Sequence, residues 1–235
     1  RVEQASGVPA ALIVSIIGVE TSYGRITGSY RVLDALYTLG FHYPPRQDFF
    51  RRELAQLFAL AEEESLPLAS LKGSYAGAMG WGQFMPSSYR AYAVDGDGDG
   101  TRDLFASLPD IFASVANYFV AHGWQPGAPV ALPAVREAAA EPLLPGSSET
   151  SYDLAALGEL GYRPQRALGS DLPATLLTLQ AADGEEYWIT FRNFYVITRY
   201  NRSPLYAMAV YQLANAIAGD DIGAPAASAA APAAQ

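Results

Sequence analysis

The segment IVSIIGVETSYGR, residues 13–25, constrains the fold more than any other stretch of this chain. Ile13, Ile16 and Ile17 stand seven, four and three positions before Glu20, spacings that place all four side chains on one stripe of an α-helix. An apolar stripe of this kind belongs against a core, and Glu20 interrupts it. An ionised carboxylate is costly there, so desolvation is expected to raise its pKa. A carboxylic acid that keeps its proton near neutral pH is a candidate general acid. The same spacing fits a glutamate at the rim of a core helix, paired to an arginine such as Arg25.

Composition narrows the function classes. Half of the 235 residues are hydrophobic, enough for one large domain or two small ones with a real core. The formal charge of −9 argues against nucleic acid as a partner, because phosphate backbones are met by basic patches. No apolar run is long enough to span a membrane. There is no signal peptide, lipidation cysteine or initiating Met, so the chain reads as a mature or trimmed product. The absence of Cys excludes disulfides and thiolate metal sites. The two histidines, His42 and His122, lie in no recognisable zinc or triad motif and read as structural.

Periodicity and punctuation organise the rest. Pro9 suits the first turn of the helix that carries Glu20, and Gly24 is its expected stop. Residues 47–64 read as an amphipathic helix with Phe50, Leu54, Leu57 and Phe58 facing inward. Residues 110–122 read as another, ending at Gly123. The Pro-, Ala- and Gly-rich stretch from Pro126 to Ser151 looks like a connection into a different unit. Residues 174–181 and 185–191 are strand-like, with Ala182, Asp183 and Gly184 as the turn between them. Helical signal returns over 203–218, with Ser203 as N-cap and Pro204 at the first position. The Ala-rich tail from Ala224 reads as disordered.

A second motif is KGSYAGAMGWGQFMPSSY, residues 72–89. Gly77, Gly80 and Gly82 permit close backbone approach or positive φ. Ser74, Tyr75, Trp81, Gln83 and Tyr89 add hydroxyls, an amide and aromatic faces. That mixture suits a sugar, and it equally suits a tight Gly-rich loop packed between helices.

Together, GVETSYGR and AGAMGWGQFMPSSY resemble the soluble lytic transglycosylases of the membrane-bound lytic murein transglycosylase B type, glycoside hydrolase family 103. The likeness continues through RVLDALYTLGF (31–41), the Asp-rich loop at 95–103, SVANYFVAHGW (114–124) and NFYVITRYNRSPLYAMAVYQL (193–213), and is weakest over 133–173 and the tail. The resemblance implies a mainly α protein: a lysozyme-like helical core with a small inserted α/β domain built on an antiparallel β-sheet. The expected division is 1–130 for the first part of the core, with an EF-hand-like loop at 95–110; 131–191 for the inserted domain; 192–222 for the C-terminal helical part; and 223–235 for the tail. The family usually carries a further N-terminal helical portion, part of which is expected to be missing here.

The resemblance also implies an activity. Members cleave the β-1,4 bond between N-acetylmuramic acid and N-acetylglucosamine in peptidoglycan glycan strands without water, leaving a 1,6-anhydro-muramyl end. A single glutamate, Glu20 by position in the motif, would protonate the leaving glycosidic oxygen. The same carboxylate would then take the proton of the muramyl C6 hydroxyl as that oxygen attacks C1. The usual glycosidase pattern needs two carboxylates. The motifs offer no second one, which fits assistance from the substrate's N-acetyl group; an acid from elsewhere, such as Asp34 or Asp48, is the alternative. By the same match Ser74 and Gln83 contact the glycan at the scissile bond, with Ser74 a candidate for the N-acetyl group. Tyr118, Tyr200, Asn201 and Tyr206 line the groove or hold Glu20. Tyr118 also fits a plain core position, and Tyr200 and Asn201 a helix–loop cap.

Asp95, Asp97 and Asp99 occupy positions 1, 3 and 5 of an EF-hand-like loop, with Gly100 at 6 and the Thr101 carbonyl at 7. Asp103, in the same acidic run, is a further candidate ligand. Position 12 is Ala106 rather than Glu, and Asp110 is the expected substitute, as the family's calcium site takes an acid from the following helix. Asp110 also fits a capping box with Ser107. Three adjacent carboxylates repel one another without a cation, so Ca²⁺ in a structural role is expected. The chain is thus expected to be a lytic transglycosylase of the bacterial periplasm or cell envelope. The alternatives are a hydrolytic muramidase on the same fold, a non-catalytic peptidoglycan-binding module, and a calcium-dependent scaffold.

Overall fold

A computed structural model describes residues 1–168, 172–182 and 184–220. These residues form two compact units, Arg1–Ala121 and from His122 onward. The expected tail, 223–235, and Asp183 of the expected turn lie outside the described residues.

The first unit is helical. Its elements are α1 (Val2–Ser6), α2 (Ala10–Thr21), β1 (Tyr30–Arg31), α3 (Val32–His42), α4 (Gln47–Glu63), β2 (Lys72–Gly73), α5 (Pro86–Tyr92) and α6 (Leu108–Ala121). Helix α6 packs against α1, α2 and α5, while α3 packs along α4. The stripe on α2 is buried as its spacing requires: Ile13, Ile16 and Ile17 are 3%, 0% and 2% exposed. Pro9 caps α2 rather than entering its first turn. The helix stops at Thr21, ahead of Gly24, because Ser22 already turns left-handed with φ 50°.

On α4 the inward face carries Phe50, Glu53, Leu54, Leu57, Leu60 and Ala61. Phe58, expected inside, is 51% exposed. It stands eight residues after Phe50, about 80° around the helix from it, and so falls beside the stripe. Glu53 is the polar residue of this face. Its carboxylate accepts the Ser87 backbone N–H at 2.9 Å and the Ser87 hydroxyl at 2.7 Å. A buried acid thereby satisfies an otherwise orphan donor in the first turn of α5.

The second unit is built on a five-stranded antiparallel sheet in the order β4-β6-β7-β3-β5. Its elements are β3 (Ala131–Arg136), β4 (Tyr152–Asp153), α7 (Leu154–Glu159), β5 (Tyr162–Pro164), β6 (Pro173–Ala181) and β7 (Gly184–Phe191), followed by α8 (Arg192–Tyr200) and α9 (Pro204–Ala218). The expected hairpin is β6 and β7, paired from Ala174↔Phe191 to Ala181↔Gly184. One sheet face is apolar: Ala174, Leu176, Tyr187, Ile189 and Phe191 cluster with Leu132, Leu157 and Tyr162. Strand β3 lies inside the stretch expected to be a plain connection. It pairs with both β5 and β7, and Pro133 contributes its carbonyl to the Gln165 N–H at 2.9 Å. Fold class is therefore as expected, mainly α with a small antiparallel sheet. Among the described residues no helix is long and apolar enough to cross a membrane.

Glu53→Ala should destabilise the protein by about 3 kcal/mol in denaturant unfolding, since hydrogen bonds to a buried charged acceptor contribute ~1.5–3 kcal/mol each. Glu53→Gln should cost less, because its amide oxygen still accepts one of the two bonds.

Candidate active site

Glu20 is half-buried in the last turn of α2. The turn leaving that helix is unusual. Ser22 and Tyr23 both have left-handed backbones, at φ 50° and 60°, a conformation that costs a non-glycine residue about 1–3 kcal/mol. The strain is held by a dense set of bonds. Ser22 N–H donates to Gly18 O at 3.0 Å, Tyr23 N–H to Ile17 O at 3.2 Å and Ile26 N–H to Thr21 O at 2.9 Å. The Thr21 hydroxyl, itself buried, lies 2.9 Å from the Trp81 carbonyl and 3.2 Å from the Ile17 carbonyl, and accepts the Gly24 N–H at 3.0 Å.

The glycines explain themselves by what touches them. A Cβ on Gly18 would stand 2.9 Å from the Tyr23 ring, and one on Gly24 only 2.2 Å from the Trp81 ring. One on Gly28 would meet the Gly73 backbone at 2.1 Å and the Ser74 nitrogen at 2.5 Å. The chain leaving Glu20 is thus pressed against Gly73, Ser74 and Trp81. Residues 21–28 pack on the loop that carries Ser74 and Gln83.

Ser74 and Gln83 are oriented by local bonds. The Ser74 hydroxyl oxygen accepts the N–H groups of Ala76 and Ala78 at 3.3 and 3.0 Å. With its acceptor sites so used, the group has its own hydrogen to donate, which suits a carbonyl oxygen. The Gln83 amide nitrogen donates to Thr27 O at 3.1 Å and Gly80 O at 3.0 Å. Both amide hydrogens are then committed, and the side-chain oxygen is left as the acceptor for a hydroxyl. Tyr118, half-buried on α6, lies 5.8 Å from the Phe84 ring and 5.0 Å from the Tyr92 ring, centroid to centroid. The two alternative acids are engaged on the surface: Asp34 with Arg31 at 2.6 Å, and Asp48 3.9 Å from Arg51. Arg25, the alternative partner for Glu20, donates its Nε–H to the Ser22 carbonyl at 3.0 Å.

Tyr200, Asn201 and Tyr206 lie in the second unit, at the turn from α8 to α9. The Asn201 side-chain oxygen accepts the Ser203 N–H at 3.0 Å, and the Ser203 hydroxyl caps α9 by accepting the Tyr206 N–H at 3.4 Å.

The Asp-rich loop is connected to the loop that carries Ser74 and Gln83. Trp81 N–H donates to the Leu104 carbonyl at 3.0 Å, and Leu104 N–H to the buried Tyr89 hydroxyl at 3.1 Å. That hydroxyl in turn donates to the Arg102 carbonyl, and burial holds its pKa above the usual phenol value. One carboxylate oxygen each from Asp95, Asp97 and Asp99 falls within 4.8 Å of the others, the spacing a hard cation needs of its oxygen ligands. Backbone donors, Gly100 N–H first and then Gly98 and Asp99, hold the Asp95 carboxyl below the usual carboxylate range against a smaller desolvation effect. Asp103 accepts the N–H groups of Phe105 and Ala106. Asp110 is fully buried, and its two oxygens accept Gly96 N–H at 2.8 Å and Asp103 N–H at 2.7 Å. It buckles the two ends of the loop together. Half of the capping box is present: Asp110 N–H donates to the Ser107 hydroxyl at 3.4 Å.

The sequence matches the transglycosylase SLT domain family over residues 1–215. The chain belongs to that family. It is 50% identical over 218 residues to membrane-bound lytic murein transglycosylase B of Escherichia coli, covering 93% of this chain and 59% of that protein. It therefore spans about three-fifths of the length of this curated relative. Its fold matches SltB1 of Pseudomonas aeruginosa, a catenated lytic transglycosylase, with TM-score 0.88 and 54% identity over 93% of this chain and 72% of that one. It matches the E. coli lytic transglycosylase Slt35 in complex with calcium with TM-score 0.86 and 50% identity, over 93% and 69% of the two chains. SltB3 of P. aeruginosa, in complex with NAG-anhNAM-pentapeptide, is more distant at 31% identity and TM-score 0.82, over 96% and 61%. The likeness to these enzymes agrees with the lysozyme-like fold class expected from the sequence.

Thr21, Gly18 and Tyr23 escaped sequence reasoning, although they stand within the GVETSYG motif. Thr21→Val keeps the shape but leaves the Gly24 N–H and the Trp81 carbonyl without their partner. It should cost about 1–3 kcal/mol in unfolding measurements and lower turnover beyond what that loss of folded protein explains.

Proposed function

We propose that this chain is a peptidoglycan lytic transglycosylase that cleaves the β-1,4 bond between N-acetylmuramic acid and N-acetylglucosamine and leaves a 1,6-anhydro-muramyl end. The observation that carries this reading is the strained turn after Glu20 and its attachment to the 73–83 loop, within a family whose relatives are named lytic transglycosylases. The complex of SltB3 with an anhydro-muramyl peptide supports the product assignment.

Glu20 is the acid and then the base. It protonates the glycosidic oxygen as the C1–O bond breaks. The carboxylate so formed takes the C6 hydroxyl proton as O6 closes on C1. Ser74 donates its hydroxyl hydrogen to the carbonyl of the N-acetyl group, holding that group where its oxygen stabilises positive charge at C1. Gln83 accepts a sugar hydroxyl. Tyr118 in the first unit, and Tyr200, Asn201 and Tyr206 in the second, are each assigned to glycan contacts, the tyrosines offering a stacking face and a polar end. The enzyme acts in the bacterial periplasm or cell envelope, on glycan strands.

Asp95, Asp97, Asp99, the Thr101 carbonyl, Asp103 and Asp110 would hold Ca²⁺, the last two also bracing the loop through backbone N–H groups. The ion would supply charge neutralisation and rigidity; proton transfer belongs to Glu20 alone. A hydrolytic muramidase would use the same glutamate but admit water.

Glu20→Gln keeps the shape and removes the transferable proton. Turnover of purified sacculi should fall by at least ~10²–10⁴-fold while glycan binding persists. Near-normal turnover by the folded variant would remove Glu20 from the reaction. For the loop, a ligand binding only the native state at a hundredfold excess over Kd adds about 2.7 kcal/mol. Calcium should raise Tm and a chelator lower it, and Asp95→Ala or Asp99→Ala should abolish the difference. Magnesium should substitute poorly, because it needs a tighter octahedral shell.

A further inference from the structure

The five-stranded sheet has a second face that the apolar cluster does not use. On it Thr175 stands opposite Thr190 in the β6–β7 register, whereas the neighbouring pairs Ala174–Phe191 and Leu176–Ile189 point into the core. The threonine face forms the floor of a cavity of about 600 Å³, whose other walls come from residues 144–149 and from α8 and the turn after it. That volume is in the range of small-molecule and short-peptide sites.

Three features of the cavity specify its ligand. Thr175 is 1% exposed, and its Oγ1 is the buried side-chain polar atom that has no hydrogen-bond partner among the described residues. A buried hydroxyl left unpaired is unfavourable, so a polar group from a ligand would relieve it. Arg199 and Arg202 stand at the cavity, and Glu149 is the one acid lining it among the described residues, an excess of positive charge in a protein of net charge −9. The Glu149 carboxylate is engaged by the Tyr195 hydroxyl at 3.0 Å. The Tyr195 ring, the aromatic group of the cavity, has Arg192 5.0 Å and Arg199 5.8 Å from its centroid. Guanidinium groups thus occupy the place where a sugar would stack. Guanidinium forks and hydroxyl donors are the chemistry of carboxylate recognition.

We propose that the Thr175–Arg202 cavity binds the carboxylate end of a short peptide. In the peptidoglycan reading, on which this inference rests, that chemistry belongs to the stem peptides carried by the glycan. Arg202, in the turn directly after Tyr200 and Asn201, and Arg199 take the carboxylate, and Thr175 Oγ1 takes a polar atom of the peptide backbone. Cleavage and peptide recognition are then separate functions of separate residues.

The test is a titration of the ¹⁵N-labelled chain, read by NMR. Its arms are the tripeptide Ala-Glu-Ala with free carboxylates, the methyl diester of that peptide, and the same peptide joined through its amino end to a GlcNAc–MurNAc disaccharide. The free acid should shift the amide signals of Thr175, Thr190 and Arg202, and the diester should not. Arg202→Glu should weaken binding at least tenfold. Thr175→Val should weaken it as well while leaving Tm unchanged or higher, because it deletes an unpaired hydroxyl. Tighter binding of the disaccharide form assigns the site to strand-attached stems; equal binding assigns it to peptide released from the glycan. Binding of the diester as tight as the acid, or affinity unchanged in both variants, overturns the proposal. The titration involves no turnover, so its failure leaves the transglycosylase reading standing, and an active Glu20→Gln enzyme would remove that reading without altering the titration.

Discussion

The hydrogen bond between the Thr21 hydroxyl and the Trp81 carbonyl ties together the two segments that make this protein's candidate active site. Thr21 ends α2, one residue after Glu20, and Trp81 sits in the loop that carries Ser74 and Gln83. The oxygen of this hydroxyl accepts the Gly24 N–H, and its single hydrogen is within reach of the Trp81 carbonyl of the facing loop and, at the longer 3.2 Å, of the Ile17 carbonyl of its own helix. The two left-handed residues Ser22 and Tyr23 are tolerable because these bonds and the Gly18–Tyr23 contact over-determine the turn. A general acid must be held to within a fraction of an ångström to be effective, and in the proposed role of Glu20 this turn's backbone would do the holding.

The same logic extends outward. Trp81 is fixed by Leu104, Leu104 by the Tyr89 hydroxyl, and the Asp-rich loop by the buried Asp110 carboxylate. A cation bound at Asp95, Asp97 and Asp99 would stiffen a loop that is bonded, through Leu104 and Trp81, to Thr21 beside Glu20. That gives the ion a physical route to the site without a part in proton transfer. Glu53 beneath Ser87 and Asp110 beneath the loop are both buried acids whose oxygens accept N–H or O–H donors, and both hold backbone rather than substrate.

Much of this was legible in the residues. The periodic stripes of α2, α4, α6 and α9 and the strand pair β6–β7 could be read directly, because each buries one regular face. Phe58 misled because a helix stripe is narrower than a run of apolar letters suggests. Strand β3 was hidden in an Ala- and Pro-rich stretch; its pairing on both sides, not its propensity, makes it a strand. Glu20, Ser74 and Gln83 were visible as motif residues, but the function of Thr21 was not. Nothing in a one-dimensional pattern tells that two non-glycine residues will turn left-handed, or that a threonine will reach a carbonyl sixty residues away.

The central claim is that Glu20 serves as both acid and base and that the muramyl C6 oxygen, not water, attacks C1. Digestion of purified sacculi in H₂¹⁸O, with mass spectrometry of the soluble fragments, tests it most directly. The account predicts fragments one water lighter than hydrolysed muropeptides and free of ¹⁸O at the new muramyl end. Reducing-end fragments that carry ¹⁸O would contradict it.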